Sequence, residues 1–438
     1  MEESSRTDPG GIQKYSVKES KGQTALIMSR EKANRLFSLG LILYALAYIL
    51  LGNNSLNSTV CRAFQLAGLL LIIFPGAWML KIKSINNYLK VILILWFIWQ
   101  LFIISRGITE LGTQSWYINF LNPMDGVLNY FVPVLIFWPQ EINDLKKIFH
   151  TTVAMGIGFL ILCLIFYEKV LDFENRDTIE YYVLLLSFPS GFMLLTLNYH
   201  SRRRKFFTIA IILITFILAT YKARRNLMLS YANIMLAGYL LHYLYFNNQK
   251  IKHRIRMVAA GVLIFMTGLL IFNQTKDKFF NYTIERISQD TRSDVEESFF
   301  EDMSRMDMVI GKGLNGSYFY PMIDEGTEEW TDYRSGIETG YLNILLKGGG
   351  INLILILLMI LPAIGKGLFQ SKNGLAKAAA IQLMLWLLDL YPTAGITFSL
   401  RYFLIWICVG ICYSPYFLNL SDKEIYEAIQ APDPHISL

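Results

Sequence analysis

From about residue 36 to about residue 413 the chain is a succession of long apolar runs separated by short polar joints. Within a run, apolar residues follow one another without the strict alternation of a two-faced strand, and many runs can cross roughly 30 Å of hydrocarbon as helix. Backbone polar groups in lipid must be satisfied internally, which leaves helices and closed barrels, and continuous runs select helices. The pattern predicts helices over 36–51, 61–80, 88–105, 119–138, 148–167, 181–200, 206–221, 227–246, 257–273, 340–364, 378–392 and 396–413, about twelve spans. Asn122, Pro123, Asp125 and Gly126 interrupt the fourth, and the eleventh is short enough to be tilted or to cross only in part. The expected fold is an all-α polytopic membrane protein. It has a polar tail over 1–35, spans over 36–273, one large loop over 274–339, spans over 340–413 and a second tail over 414–438.

Composition agrees with this reading. Of 438 residues, 54% are hydrophobic and only 17% charged, where a soluble domain carries about 25%. The first thirty or so residues have no apolar core or cleavage site and read as a flexible tail, not a signal peptide. Cys163, Cys408 and Cys412 lie inside apolar runs and Cys61 at the edge of one, so free buried thiols are expected. The net charge of +6 follows from topology, and no nucleic-acid partner is inferred from it.

Charge along the joints sets an orientation. With the N-terminus inside, the inner segments carry about 24 Lys and Arg against about 14 outside, seven of the latter in the one long loop. Lys and Arg concentrate in short cytoplasmic loops, so both termini are expected in the cytoplasm. One outer joint breaks the trend: TYKARRNLMLSY brings Lys222, Arg224 and Arg225 between two apolar runs. Charge so placed works against insertion and marks a functional site, the alternative being side chains that snorkel to lipid phosphates.

The long loop shares that outer side. It carries Arg286, Arg292, Arg305 and Arg334, acidic runs, and Trp330, Tyr318, Tyr320 and Tyr333, whose flat faces beside carboxylates suit sugar rings. Within it, Val295, Phe299, Phe300, Met303 and Met306 recur at helical spacing, predicting an element along the membrane surface or capping a cavity. Lys347, Asp389 and Arg401 fall inside spans near the outer end, and Gly348–Gly350 predict a broken helix lining a cavity. Lys347 with Asp389, or Asp389 with Arg401, form either part of a site or neutralising ion pairs. GKGLNG at 311–316 has dinucleotide-loop spacing but follows no strand and opens no βαβ unit, so no such cofactor is expected. None of His150, His200, His242, His253 and His435 stands at metal-ligand spacing from a Cys or acidic residue, so no metal is expected.

With these residues placed, the chain resembles the O-antigen polymerase and ligase superfamily of bacterial membrane glycosyltransferases, most closely over about 206–365. Members carry an arginine just after an outer span end, and KARRN supplies Arg224, with Ala223 where serine is usual. They carry a second arginine ahead of a G-x-G, and Arg292 stands 19 residues before Gly311 of GKG. A third segment, His-Asn-x-Tyr-Leu, opens the next span; here ETGYLN supplies Tyr341 and Leu342, with Glu338 where ligases have histidine. The resemblance implies a GT-C-like helical membrane architecture in a bacterial inner membrane, with the active site facing the periplasm or exterior. It implies a glycan donor and acceptor carried on polyprenyl diphosphate, no metal or other cofactor, and a chain-length regulator as partner.

On that basis Glu338, Arg292 and Arg224 are the expected catalytic residues, with Asp389 a second candidate base. Arg225, Lys222, Arg305, Arg334, Tyr341, Lys347, Asp389 and Arg401 are the expected substrate contacts. Arginine forks bind phosphate oxygens bidentately and stabilise a diphosphate leaving group. A partly buried Glu338 would have its pKa raised toward the range a general base needs. Polymerisation of lipid-linked repeat units into a surface polysaccharide is the favoured activity. Ligase-type transfer to a lipid or protein acceptor, and transport of lipid-linked sugars, are the alternatives.

Overall fold

A computed structural model of the protein describes residues 29–53, 55–80, 86–107, 120–124, 126–172, 176–246, 292–323, 330–393 and 395–431. The expected ninth span and two stretches of the long loop, 274–291 with Arg286 and 324–329, lie outside these residues. Seven described helices are long and apolar enough to cross a membrane. Large apolar side chains such as Phe74, Leu164, Phe206, Ile217 and Leu236 stay exposed along them, the reverse of a water-soluble surface.

The chain opens with α1 (Arg30–Gly52), α2 (Ser58–Met79) and α3 (Asn87–Ser105). The expected fourth span differs: its described core is a 3-10 helix, Val127–Phe137. Pro133 sits inside it; proline has no N–H to donate and clashes with the preceding turn of an α-helix. Then follow α4 (Ile142–Ile165), α5 (Tyr167–Leu171) and α6 (Arg176–Tyr182). The expected sixth span is broken, running from α6 through a π turn at Val183–Ser187 to α7 (Ser190–Leu195) past Pro189. Next come α8 (Arg202–Tyr221) and α9 (Arg225–Leu241). The described part of the long loop forms α10 (Ser293–Asp302), α11 (Arg305–Ile310) and an antiparallel hairpin, β1 (Tyr318–Ile323) with β2 (Trp330–Arg334). The chain closes with α12 (Gly340–Gly365), α13 (Gly374–Asp389), α14 (Leu400–Tyr413), α15 (Pro415–Asn419) and α16 (Asp422–Gln430).

Every residue from Leu400 to Cys412 is buried, so α14 is the axis of the bundle. A helix apolar on all faces belongs there. Contacts between loops sort the helix ends into two sets. At one end Asp144 accepts from Arg30 and from Asn34 at 3.0 Å, Lys146 reaches Ala431, and Asn373 donates to the Phe417 carbonyl at 2.7 Å. At the other, Lys169 donates to the Asn53 carbonyl at 2.6 Å, Gly340 N–H to Leu390 at 2.7 Å and Phe398 N–H to Pro123 at 2.7 Å. The charged candidates all lie at this second end.

Of the predicted loop helix, Phe299 and Met303 are buried, while Phe300 and Met306 are exposed. Phe299 packs with Tyr318, Ile337, Leu342 and Leu346, so α10 caps the start of α12. Cys61, Cys408 and Cys412 are buried and Cys163 half-buried, all as free thiols.

Candidate functional site: a charged end of the bundle

The joint between α8 and α9 is turned by Ala223, whose φ of 52° lies in the left-handed region. An L-residue there costs about 1–2 kcal/mol, and such strain collects at functional sites. The turn directs Arg224 to Glu180 on α6, Nη1 to Oε2 at 3.1 Å. Asn226 donates to the other Glu180 oxygen at 3.2 Å. Arg225 is half-buried beside it. Lys222 is fully buried and donates to the Asp172 carbonyl, so it does not snorkel to lipid.

Inward of this joint, Arg401 at the start of α14 pairs with Asp389 at the end of α13, Nη2 to Oδ2 at 3.3 Å. Ser230 of α9 donates to Asp389 Oδ1 at 2.8 Å, and the Arg401 guanidinium lies 3.8 Å from the centre of the Phe188 ring. Of the two pairings left open by the sequence, Asp389 with Arg401 forms. Lys347 instead donates to the carbonyls of Gly316 at 3.0 Å and Ser335 at 2.6 Å.

Arg292 precedes α10 and reaches the start of α12. Its Nη2 pairs with Glu338 Oε2 at 3.2 Å and donates to the Pro392 carbonyl at 3.0 Å, in the turn that follows Asp389. Arg292, Arg334, Glu338, Glu296 and Thr339 line one small notch, with Thr339 donating to Glu296 at 2.5 Å. Glu338 departs from the partly buried carboxylate the sequence led us to expect: its side chain is 64% exposed. It stands in the bend just ahead of the helix, where water and Arg292 both reach it. Burial pushes the Tyr318 phenol up to about 12 against the opposing charge of Arg334. Tyr341 donates to the Leu387 carbonyl at 2.5 Å and ties α12 to α13. Arg305, by contrast, begins α11 with an exposed side chain and does not line the notch.

The expected break in α12 is real and centres on Gly349, at φ 65° and ψ −174°. The GKG turn docks on it: Lys312 N–H donates to Leu346 at 2.7 Å and Gly313 N–H to Lys347 at 3.0 Å. Trp99 takes the Gly348 carbonyl at 2.9 Å, and Arg106 holds the Gly311 carbonyl at 2.8 Å. The two loop N–H groups and Trp99 satisfy carbonyls that a break in a helix leaves open, while Arg106 ties the turn itself to the end of α3. The GxGxxG spacing therefore serves packing between the loop and the bundle.

Sequence reasoning missed Glu180, Ser230, Glu296 and Arg106. Glu180 had a signal, a carboxylate at the edge of an apolar run on the same side as KARRN. Ser230 and Glu296 carry none until the chain is folded. Comparison with family models, curated proteins and solved structures matches the chain to none of them.

Proposed function

We propose that the charged end is the active site of a glycosyltransferase that polymerises polyprenyl-diphosphate-linked oligosaccharide units on the outer face of a bacterial inner membrane. The observation that carries the reading is the Arg292–Glu338 pair beside Arg334, at the same bundle end as Arg224. A carboxylate and several guanidinium forks are the groups such a transfer needs. The acceptor hydroxyl oxygen forms a bond to the sugar C1 as the C1–O bond to the diphosphate breaks. The leaving diphosphate takes the electron pair, and its growing charge is held by Arg224, Arg225 and Arg292. Glu338 takes the hydroxyl proton, oriented in the resting site by Arg292. The buried Asp389–Arg401 pair holds the turn at Tyr391–Pro392 on which Arg292 rests.

The deciding experiment incubates the purified protein with a lipid-linked oligosaccharide, native beside Arg224→Ala and Arg292→Ala. A ladder of longer lipid-linked products, lost in both folded variants, supports the reading; no ladder from the native protein with any donor overturns it. A second reading, transport of lipid-linked sugars, has one observation in its favour. A polar vestibule of about 1,130 Å³ opens at the opposite end, among Asn86, Gln140, Asn143, Lys366, Tyr413 and Asn419. Movement of labelled lipid-linked sugar across a vesicle bilayer, without elongation, is the result that selects it.

A further inference from the structure

Just inside the charged end, between α3, the 3-10 helix, α12 and α14, lies a second cavity of about 40 Å³. Asn129, Asn343, Asn352, Lys347, Trp96 and Tyr402 line it. Its wall is polar and incompletely satisfied. Asn129 Oδ1, Asn343 Oδ1 and Trp96 Nε1 are buried atoms with no hydrogen-bond partner among the described residues. Asn129 and Trp96 are 3% and 2% exposed. The Asn129 amide has its orientation fixed, because Nδ2 donates to the carbonyls of Pro123 at 3.0 Å and Met124 at 3.1 Å. Its oxygen is therefore the open end. Behind it, Gln100 donates to Asn352 at 2.9 Å, and Gln100 Oε1 is also left over.

Buried polar atoms without partners are rare in folded proteins and point to a bound group. The wall selects which. Carboxamide oxygens with nothing donated to them repel an anion, and the Lys347 ammonium opposes a cation. The unpaired indole N–H requires an acceptor. A neutral hydroxyl both donates and accepts, and it meets all three demands. The volume holds roughly one to three waters or a hydroxymethyl arm, but not a whole pyranose ring.

We infer that this cavity is a subsite for a hydroxyl-bearing arm of a neutral sugar residue, with the ring resting at the mouth. Tyr130, half-buried in the same lining, offers an aromatic face to the ring's C–H groups. Asn343 lies in the first turn of α12, Glu338 stands two residues ahead of that helix, and Lys347 of the cavity wall reaches the Ser335 carbonyl three residues before Glu338. The subsite thus adjoins the proposed proton acceptor and fixes which hydroxyl is turned toward it. Its role in transfer rests on the glycosyltransferase reading, whereas its preference for neutral sugars does not.

Saturation-transfer NMR on the full chain in nanodiscs tests this, using methyl glucoside and N-acetylglucosamine as neutral probes and, as probes charged on the C6 arm, glucuronate and 6-amino-6-deoxyglucose. The neutral probes are expected to receive saturation, strongest at the C6 protons, with both charged probes about tenfold weaker. Asn343→Leu keeps the volume and removes the oxygen, and is expected to weaken neutral-sugar binding about tenfold, the worth of one hydrogen bond. Lys347→Gln keeps a donor for the two carbonyls, removes the charge, and is expected to admit 6-amino-6-deoxyglucose. Equal signals from neutral and charged probes overturn the proposal. So does binding that survives Asn343→Leu, or the absence of signal from any neutral probe. Arg292→Ala is expected to retain the NMR signal while losing polymer; native protein that binds but never elongates refutes the enzyme reading and leaves the subsite standing.

Discussion

Replacing Gly349 by alanine puts the junction between the loop and the bundle to a direct test. At φ 65° and ψ −174° the residue occupies a region open essentially to glycine alone, and a non-glycine residue there costs about 1–3 kcal/mol. The added Cβ would also lie 2.2 Å from the Val309 carbonyl oxygen and 2.5 Å from the Gly311 nitrogen. Both are backbone atoms of the turn that satisfies the broken helix, so neither can step aside as a flexible side chain would. Forcing a carbon into a packed site adds about 1–3 kcal/mol, for a total of about 2–6 kcal/mol. Gly365 provides the control within α12, since nothing lies within 4 Å of a Cβ built there. Gly365→Ala should be neutral or stabilising by up to about 1 kcal/mol through helix propensity. The assay is thermal unfolding in detergent, read by size-exclusion recovery, with limited proteolysis around residues 304–318 reporting whether the loop still docks. Gly349→Ala as stable as Gly365→Ala, with the loop equally protected, would refute the argument.

Three further outcomes are expected. Arg401→Ala strands a buried carboxylate and should destabilise by about 3–5 kcal/mol, whereas the double change Arg401→Leu with Asp389→Leu should recover much of that in the same thermal assay. Ala223→Gly should stabilise by about 1 kcal/mol and Ala223→Val destabilise by more, because only glycine is at ease at that φ. For orientation, Ser335→Cys should label with a membrane-impermeant maleimide in intact cells and Lys423→Cys should not; the reverse pattern inverts the proposed threading.

Hydropathy exposes a helix only where length and apolarity are its sole requirements. That suffices for α1, α2, α3 and α4, whose runs are long and unbroken. It is blind to pitch: the run through Val127–Phe137 has the same apolarity whether it coils as α or 3-10, and only Pro133 hints at the difference. The break at Gly349 was visible because three glycines leave little else to expect. Charges in apolar surroundings marked Arg224, Lys347, Asp389 and Arg401, since isolated charge there needs a reason. Their partners were not visible. Arg224 meets Glu180 and Arg292 meets Glu338 across 44 and 46 positions of sequence, and no local pattern encodes such a meeting. Gln100, Asn129 and Asn352 were passed over because a lone carboxamide in an apolar run barely lowers its hydropathy. Their placement around one cavity gives them meaning.

The 3-10 segment has a mechanical consequence. Eleven residues at about 2.0 Å each span about 22 Å, while the same residues as α-helix would span about 16 Å. The change from three to 3.6 residues per turn would also rotate one end against the other by about 220° over that length. The segment is thus a drawn-out screw anchored at one end by Phe398 on Pro123. Asn129 keeps its bearing on the cavity only while that pitch is held, so a single turn relaxing to α would shorten the strut and swing the carboxamide away.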